Sequence, residues 1–303
     1  METSITAENN VREKDISFFR GLAVFLAGFI LGLTKLSGLP APFAAAGICA
    51  MNGFECIFMA VGSAAGYVIS GGPERCITYI AAMSVIALLR FLISSFTHGK
   101  RSEILSIIQS AAAGICIFAA NIFTARSVNE IFLAAAFSAL SAVFAYCTEK
   151  LRYAGIKSAF SSGKTVFRVM ECIIFVLLTA ALTSLNAGIL NIGIFISVLA
   201  VLYSSGISSE ASPAVCAVLS FAGVAAGDQA FAAACIMLSV SAPVIMLIGN
   251  RGRITKACVF ILITGIGLIA AGINESNGIA VISAVAAAAV YMAVPERFSP
   301  LTH

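Results

Sequence analysis

Between Arg168 and Arg251 the chain runs 82 residues without one Lys or Arg, and it holds only three acids there, Glu171, Glu210 and Asp228. A water-facing surface needs charged side chains throughout to stay soluble and monomeric. At about 20 residues per bilayer crossing, the run reads as about four membrane spans joined by short turns. Both of its boundaries are basic, residues 150–168 on one side and 251–256 on the other. Basic loops are retained in the cytoplasm, so an even number of crossings separates them.

The rest of the chain agrees. Sixty per cent of residues are apolar, 11% are charged and mean hydropathy is +1.03, values outside the range of globular domains. Apolar segments fall at 19–38, 41–52, 54–71, 76–97, 103–124, 130–148, 167–185, 188–206, 212–226, 229–248, 256–272 and 278–294. Segments 41–52 and 212–226 are short for a full crossing, and each closely precedes its successor, so each pair reads as a tight hairpin or a partly re-entrant element. The expected fold is an all-α polytopic membrane bundle of ten spans, or twelve if both short segments cross.

With the N-terminus inside, fourteen Lys and Arg fall on the cytoplasmic side and only Lys35, Arg75 and Arg126 on the other, while Arg90 is left within a span. That bias puts both termini in the cytoplasm. It divides the chain into an N-terminal arm (1–18), a first membrane half (19–148), a basic cytoplasmic loop (149–166), a second membrane half (167–294) and a C-terminal stub (295–303). The first span reads as an uncleaved signal anchor, because Glu8, Glu13 and Asp15 do not suit a signal-peptide n-region.

Nine cysteines are scattered singly through apolar stretches, there is no C-x-x-C, and the only histidines are His98 and His303. Inert buried thiols are expected, with no metal and no cofactor. No Walker loop, G-x-S-x-G, H-E-x-x-H or dinucleotide fingerprint occurs. The bilayer itself is the expected partner, and nucleic acid is not.

Charges inside a bilayer mark candidate functional positions. Arg90, in the run ALLRFL, snorkels to the cytoplasmic interface, forms an intramembrane ion pair with Glu55, which the topology places near the same face, or belongs to a substrate or proton pathway. Glu171 reaches Arg168 or the headgroup region, and Asp228, Glu74 and Arg75 are expected in turns. The polar residues Asn121, Asn186 and Asn191 form no recognisable set, and Pro243 is expected to kink its helix. Three pairs of glycines spaced by four, Gly28/Gly32, Gly62/Gly66 and Gly223/Gly227, are candidate helix-packing sites, since small residues let helix backbones approach where lipid gives no hydrophobic drive. Residues 59–66 (MAVGSAAG) and 220–227 (SFAGVAAG) share a weak similarity. Their orientation is the same, so they are no inverted repeat, and chance similarity in an Ala- and Gly-rich chain competes as the explanation.

Several passages resemble the membrane region of the stage II sporulation protein E family. They are GFILG (28–32) followed by LPAPFAAAG (39–47), the Leu-Leu-Arg run ending at Arg90, the basic stretch 149–168, the Gly-rich stretch at 223–227, the loop GNRGRITK (249–256), and the exit through VPER (294–297). The resemblance spans residues 20–298. It implies about ten spans that anchor the family's protein at the division septum and help it self-associate, with cell-division or septal proteins as partners. In that family a metal-dependent serine/threonine phosphatase domain follows the spans and activates a forespore sigma factor. None of its catalytic residues has a counterpart here, so no enzymatic activity is expected of this chain. The competing readings are a small-solute transporter or permease, and a structural subunit of another membrane complex. Single-cysteine labelling of the 149–168 loop is expected to succeed only in permeabilised cells; labelling from outside would overturn the topology.

Overall fold

The computed structural model describes residues 19–36, 39–51, 53–71, 73–96, 103–154, 165–205, 212–248, 252–272 and 274–294. The N-terminal arm, the C-terminal stub, Glu210, Arg251, both histidines and residues 155–164 of the central loop lie outside them.

The fold is all-α. Among the described residues the helices are α1 (Phe19–Leu33), α2 (Phe43–Gly47), α3 (Phe54–Gly71), α4 (Pro73–Phe96), α5 (Glu103–Thr124), α6 (Val128–Ala154), α7 (Thr165–Thr183), α8 (Ile192–Ser204), α9 (Ser212–Gly227), α10 (Ala232–Ile248), α11 (Arg253–Ala271) and α12 (Glu275–Ala293). Six of them, α4, α5, α6, α7, α11 and α12, are long and apolar enough to cross a membrane, and α1, α3, α8, α9 and α10 are apolar but shorter. Large aliphatic and aromatic side chains point outward along these helices, among them Leu247, Phe123 and Ile269 at 86%, 83% and 78% exposure. Such a surface suits hydrocarbon and not water.

Local signals explain several boundaries. Pro73 opens α4, where its missing N–H costs no helical bond. Asn274 caps α12, its side chain accepting from the Asn277 N–H. Pro243 lies inside α10, as expected. Glu74 and Arg75, expected in a turn, belong to the first turn of α4. The central basic loop is also shorter than the expected 149–166, because α6 continues to Ala154 and α7 begins at Thr165.

The chain forms two compact units, one of residues Met1–Thr34 and Leu39–Glu171, the other of Lys35–Gly38 and Cys172–His303. In the first, the glycines of α1 and α3 face each other. A Cβ on Gly28 would sit 2.6 Å from the Met59 carbonyl, and one on Gly32 2.6 Å from that of Ser63. A Cβ on Gly62 or Gly66 would strike the Phe25 or Phe29 carbonyl respectively. Residue numbers rise together along both helices, so α1 and α3 run parallel. The chain between them must therefore come back, and α2 with its 3-10 extension Ile48–Ala50 makes that return. It is buried throughout. Its small residues, Ala44, Ala45, Ala46 and Gly47, let it run through the middle of the unit.

The second unit solves the same problem. Gly223 and Gly227 of α9 lie against Val176, Thr179, Ala180 and Thr183 of α7, again in parallel. The return is α8, preceded by the two-residue strands Asn186–Ala187 and Leu190–Asn191, paired antiparallel with Asn186 opposite Asn191. Val198, Val201 and Leu202 of α8 are buried with Phe260 of α11 and Ala284 and Ala287 of α12.

Because backbone, not a flexible side chain, fills the space beside these glycines, Gly66→Ala and Gly227→Ala are each expected to cost about 1–3 kcal/mol. Gly278→Ala, in open space within α12, is expected to leave stability unchanged or raise it. Denaturant unfolding in detergent measures all three.

Candidate functional site

The strongest concentration of charge among the described residues gathers at one end of the first unit. Glu55, in the first turn of α3, receives Arg20 from the start of α1, with Nε 2.6 Å from Oε1. The same carboxylate takes Nη2 of Arg152 through Oε2, and Nη1 of Arg152 donates to the Ala50 carbonyl that ends the 3-10 turn. One guanidinium thus neutralises a mostly buried acid and caps the C-terminal end of the inner helix, where carbonyls carry partial negative charge. The side chains of Glu55, Arg152 and Arg20 are 17%, 26% and 65% exposed, so the Arg152 contact is the drier of the two. Beside it, Lys150 reaches Glu103 of α5 at 2.8 Å and lies over the Tyr146 ring.

The sequence reading offered Arg90 as the partner of Glu55. The structure gives that carboxylate two partners, Arg20 and Arg152, which are distant in sequence and had been assigned only to cytoplasmic ends. Arg90 is 9% exposed on α4 and lines a cavity of about 10 Å³ with Cys49, Ile86, Leu89, Ile93 and Gln109. That is room for about one water. Glu149, read as the start of a loop, is 4% exposed near the end of α6, and it and Arg90 both lie within electrostatic reach of Cys49.

The opposite end of the same unit is held by neutral polar groups. The Tyr67 hydroxyl donates to the Ala41 carbonyl at 2.8 Å and accepts from the Ala45 N–H at 3.3 Å. Tyr79 stacks on Tyr67 at 4.8 Å between centroids, and its hydroxyl lies 3.2 Å from the Pro40 carbonyl and 3.1 Å from Asn121 Oδ1. Among the described residues, Asn121 is therefore tied to the entrance of the inner helix, a role its isolated place in the sequence did not show.

In the second unit Asn191, fully buried, does the corresponding work. Its Nδ2 donates to the Thr183 carbonyl at 2.7 Å and to Asn186 Oδ1 at 2.9 Å, and its Oδ1 accepts from the Ile194 N–H. Its own N–H donates to Ser283 Oγ at 2.7 Å. At the far end of α8, Lys256 Nζ donates to the Ser205 carbonyl at 2.9 Å. Arg253 Nη1 donates to the Val294 carbonyl that follows α12 and rests over the Tyr291 ring. Asp228 is exposed in its turn, as expected, accepting from the Ala230 N–H. Glu171 Oε1 is buried with no hydrogen-bond partner among the described residues.

No family model, curated protein or solved structure matches the chain. Its chemistry has to be argued from its own geometry. Among the described residues no cluster of His, Cys, Asp and Glu is placed to hold a metal ion. A cavity of about 380 Å³ between α10 and α11 is lined by Ile236, Met237, Val240, Ile263, Ile266 and Gly267, with Ala270 and Ala271 closing it. It offers no side chain able to bind a polar solute or transfer a proton. Arg20, Glu55, Arg152, Arg253 and Lys256, by contrast, sit at helix ends and are spent on carbonyls and on each other.

Arg152→Ala would leave the Ala50 carbonyl bare and Glu55 with only the exposed Arg20 as partner, at an expected cost of about 1–3 kcal/mol. Arg20→Ala, at an exposed side chain, is expected to cost less than about 1 kcal/mol. Equilibrium unfolding of both variants in detergent tests the ordering.

Proposed function

We propose that this chain is a multi-pass membrane anchor and self-association module, of the kind that holds a sporulation-specific phosphatase at the division septum of a bacterial cell. The observation that carries the reading is the use to which the polar groups are put. Glu55, Arg152, Tyr67, Asn191 and Lys256 each fix a helix end inside an apolar bundle. A side chain committed in this way positions the backbone, and the outward faces left over are aliphatic. The sequence resemblance then supplies the cellular role. In this reading the chain has no chemistry of its own, and the catalytic domain it serves lies outside this sequence.

The anchor reading includes twelve crossings, six per unit, both termini in the cytoplasm. Parallel α1 and α3 support this, as do parallel α7 and α9, since each pair needs an intervening return pass. The return helices are shorter than a lipid-exposed span must be, but α2 is enclosed by protein, where short or irregular segments are tolerated. Arg20, Arg152, Arg253 and Lys256 then all fall at cytoplasmic ends, in keeping with the distribution of basic residues.

A fluorescent protein fused to the C-terminus and expressed in a sporulating bacterium is expected to gather at the asymmetric septum. A uniform signal around the envelope would overturn the septal role. Saturable solute uptake into liposomes by the purified chain, abolished by Arg90→Ala, would overturn the anchor reading itself.

A further inference from the structure

The contacts of the first unit recur in the second at a constant spacing in the sequence. Carbonyls of Phe25 and Phe29 face Gly62 and Gly66; those of Val176 and Ala180 face Gly223 and Gly227. Phe25 and Phe29 of the first helix are thus each matched 151 positions later, by Val176 and Ala180. The same spacing continues through the turn that follows. The Thr34 N–H donates to the Leu31 carbonyl at 3.3 Å, and the Leu185 N–H to the Leu182 carbonyl at 3.0 Å. The turn is closed by Ala41 N–H donating to the Thr34 carbonyl at 2.9 Å, and by Ile192 N–H donating to the Leu185 carbonyl at 3.0 Å. Five backbone positions, 25, 29, 31, 34 and 41, thus map onto 176, 180, 182, 185 and 192 without a shift.

Beyond the turn the spacing changes once. The paired glycines, 62 with 223 and 66 with 227, lie 161 positions apart. The ten extra residues fall between turn and glycines, where the five-residue α2 and its three-residue 3-10 extension correspond to the thirteen-residue α8. Both inner helices lie against the last helix of their own unit, α2 against α6 and α8 against α12. Both end on a carbonyl capped by a basic side chain, Ala50 by Arg152 and Ser205 by Lys256.

We infer that the chain is a tandem duplication of one six-helix unit whose hallmark is a short inner helix pinned at both ends. The weak match of 59–66 with 220–227 is then the surviving sequence trace of that event, because close backbone contact tolerates little besides glycine there. The remaining residues have diverged under a looser requirement, which was only to stay apolar or to fill a given volume. The pins come from different elements in the two copies: Tyr67 of α3 and Tyr79 of α4 hold the entrance in one and Asn191, just before α8, in the other, while the exits are capped from α6 and from α11. An even number of passes per copy makes this a direct repeat, both copies inserted in the same sense.

The inference rests on the membrane reading only for its test. In a cysteine-free full-length background, single cysteines are placed at Lys35 and Gly188, in the two equivalent turns, and at Ala154 and Gly252, at the opposite ends of the units. Intact cells are treated with a membrane-impermeant maleimide. Labelling of the two turn positions without permeabilisation, and of the other two only after it, supports the duplication. Labelling of the turns from opposite sides would overturn it. Recovery of the protein in the soluble fraction, with all four positions reactive at once, would sink the membrane reading instead. As a second measurement, Gly66→Ala and Gly227→Ala are expected to lower the unfolding midpoint by similar amounts; an effect confined to one of them would count against equivalent packing.

Discussion

An inner helix buried in an apolar bundle has backbone groups at both ends with no helical partner and no water to replace one. Each such group left bare costs about 1–3 kcal/mol, and no outward-facing surface can repay that. The architecture is arranged around this constraint. Tyr67 and Tyr79 serve the entrance of α2 and Arg152 its exit; Asn191 serves the entrance of α8 and Lys256 its exit. The long outer helices satisfy their own backbones internally, so they need only apolar side chains and close packing.

This division of labour explains what was legible in the sequence. Long outer helices announce themselves by uninterrupted hydropathy, and the expected segments 103–124 and 54–71 coincide with α5 and α3. The glycine pairs were also readable, because only packing explains glycine repeated at one face of a helix; the structure adds that Gly28/Gly32 and Gly62/Gly66 face one another. The pins were not readable. Arg152 and Glu55 are 97 residues apart, and Asn191 and Ser283 are 92 apart. Nothing local in either sequence window distinguishes a buried clamp from an ordinary interfacial charge or a stray polar residue. Arg90 illustrates the limit: its depth in a span was visible, but the groups around it come from the 3-10 turn after α2 and from α5 as well as α4.

The clamp at Glu55 also sets where two stretches of chain meet the first unit. Arg20 follows directly on the N-terminal arm, and Arg152 stands where the central basic stretch leaves the bundle. A single carboxylate therefore fixes the departure points of both segments, though one of its two arginines is largely exposed to the surroundings. The proposed anchor role would gain from this, because position and orientation are set at the base of each segment, whatever the segment itself does.

The stacked tyrosines have a practical side. The chain has no tryptophan and only six tyrosines, so its ultraviolet emission is tyrosine emission. Tyr67 and Tyr79 contribute ring-on-ring, with both phenols held at the backbone that leads into α2. Withdrawal of the inner helix would take the Ala41 and Pro40 carbonyls from these hydroxyls and change the surroundings of both rings. The protein thus carries, without any label, an optical gauge of the element on which its first unit turns.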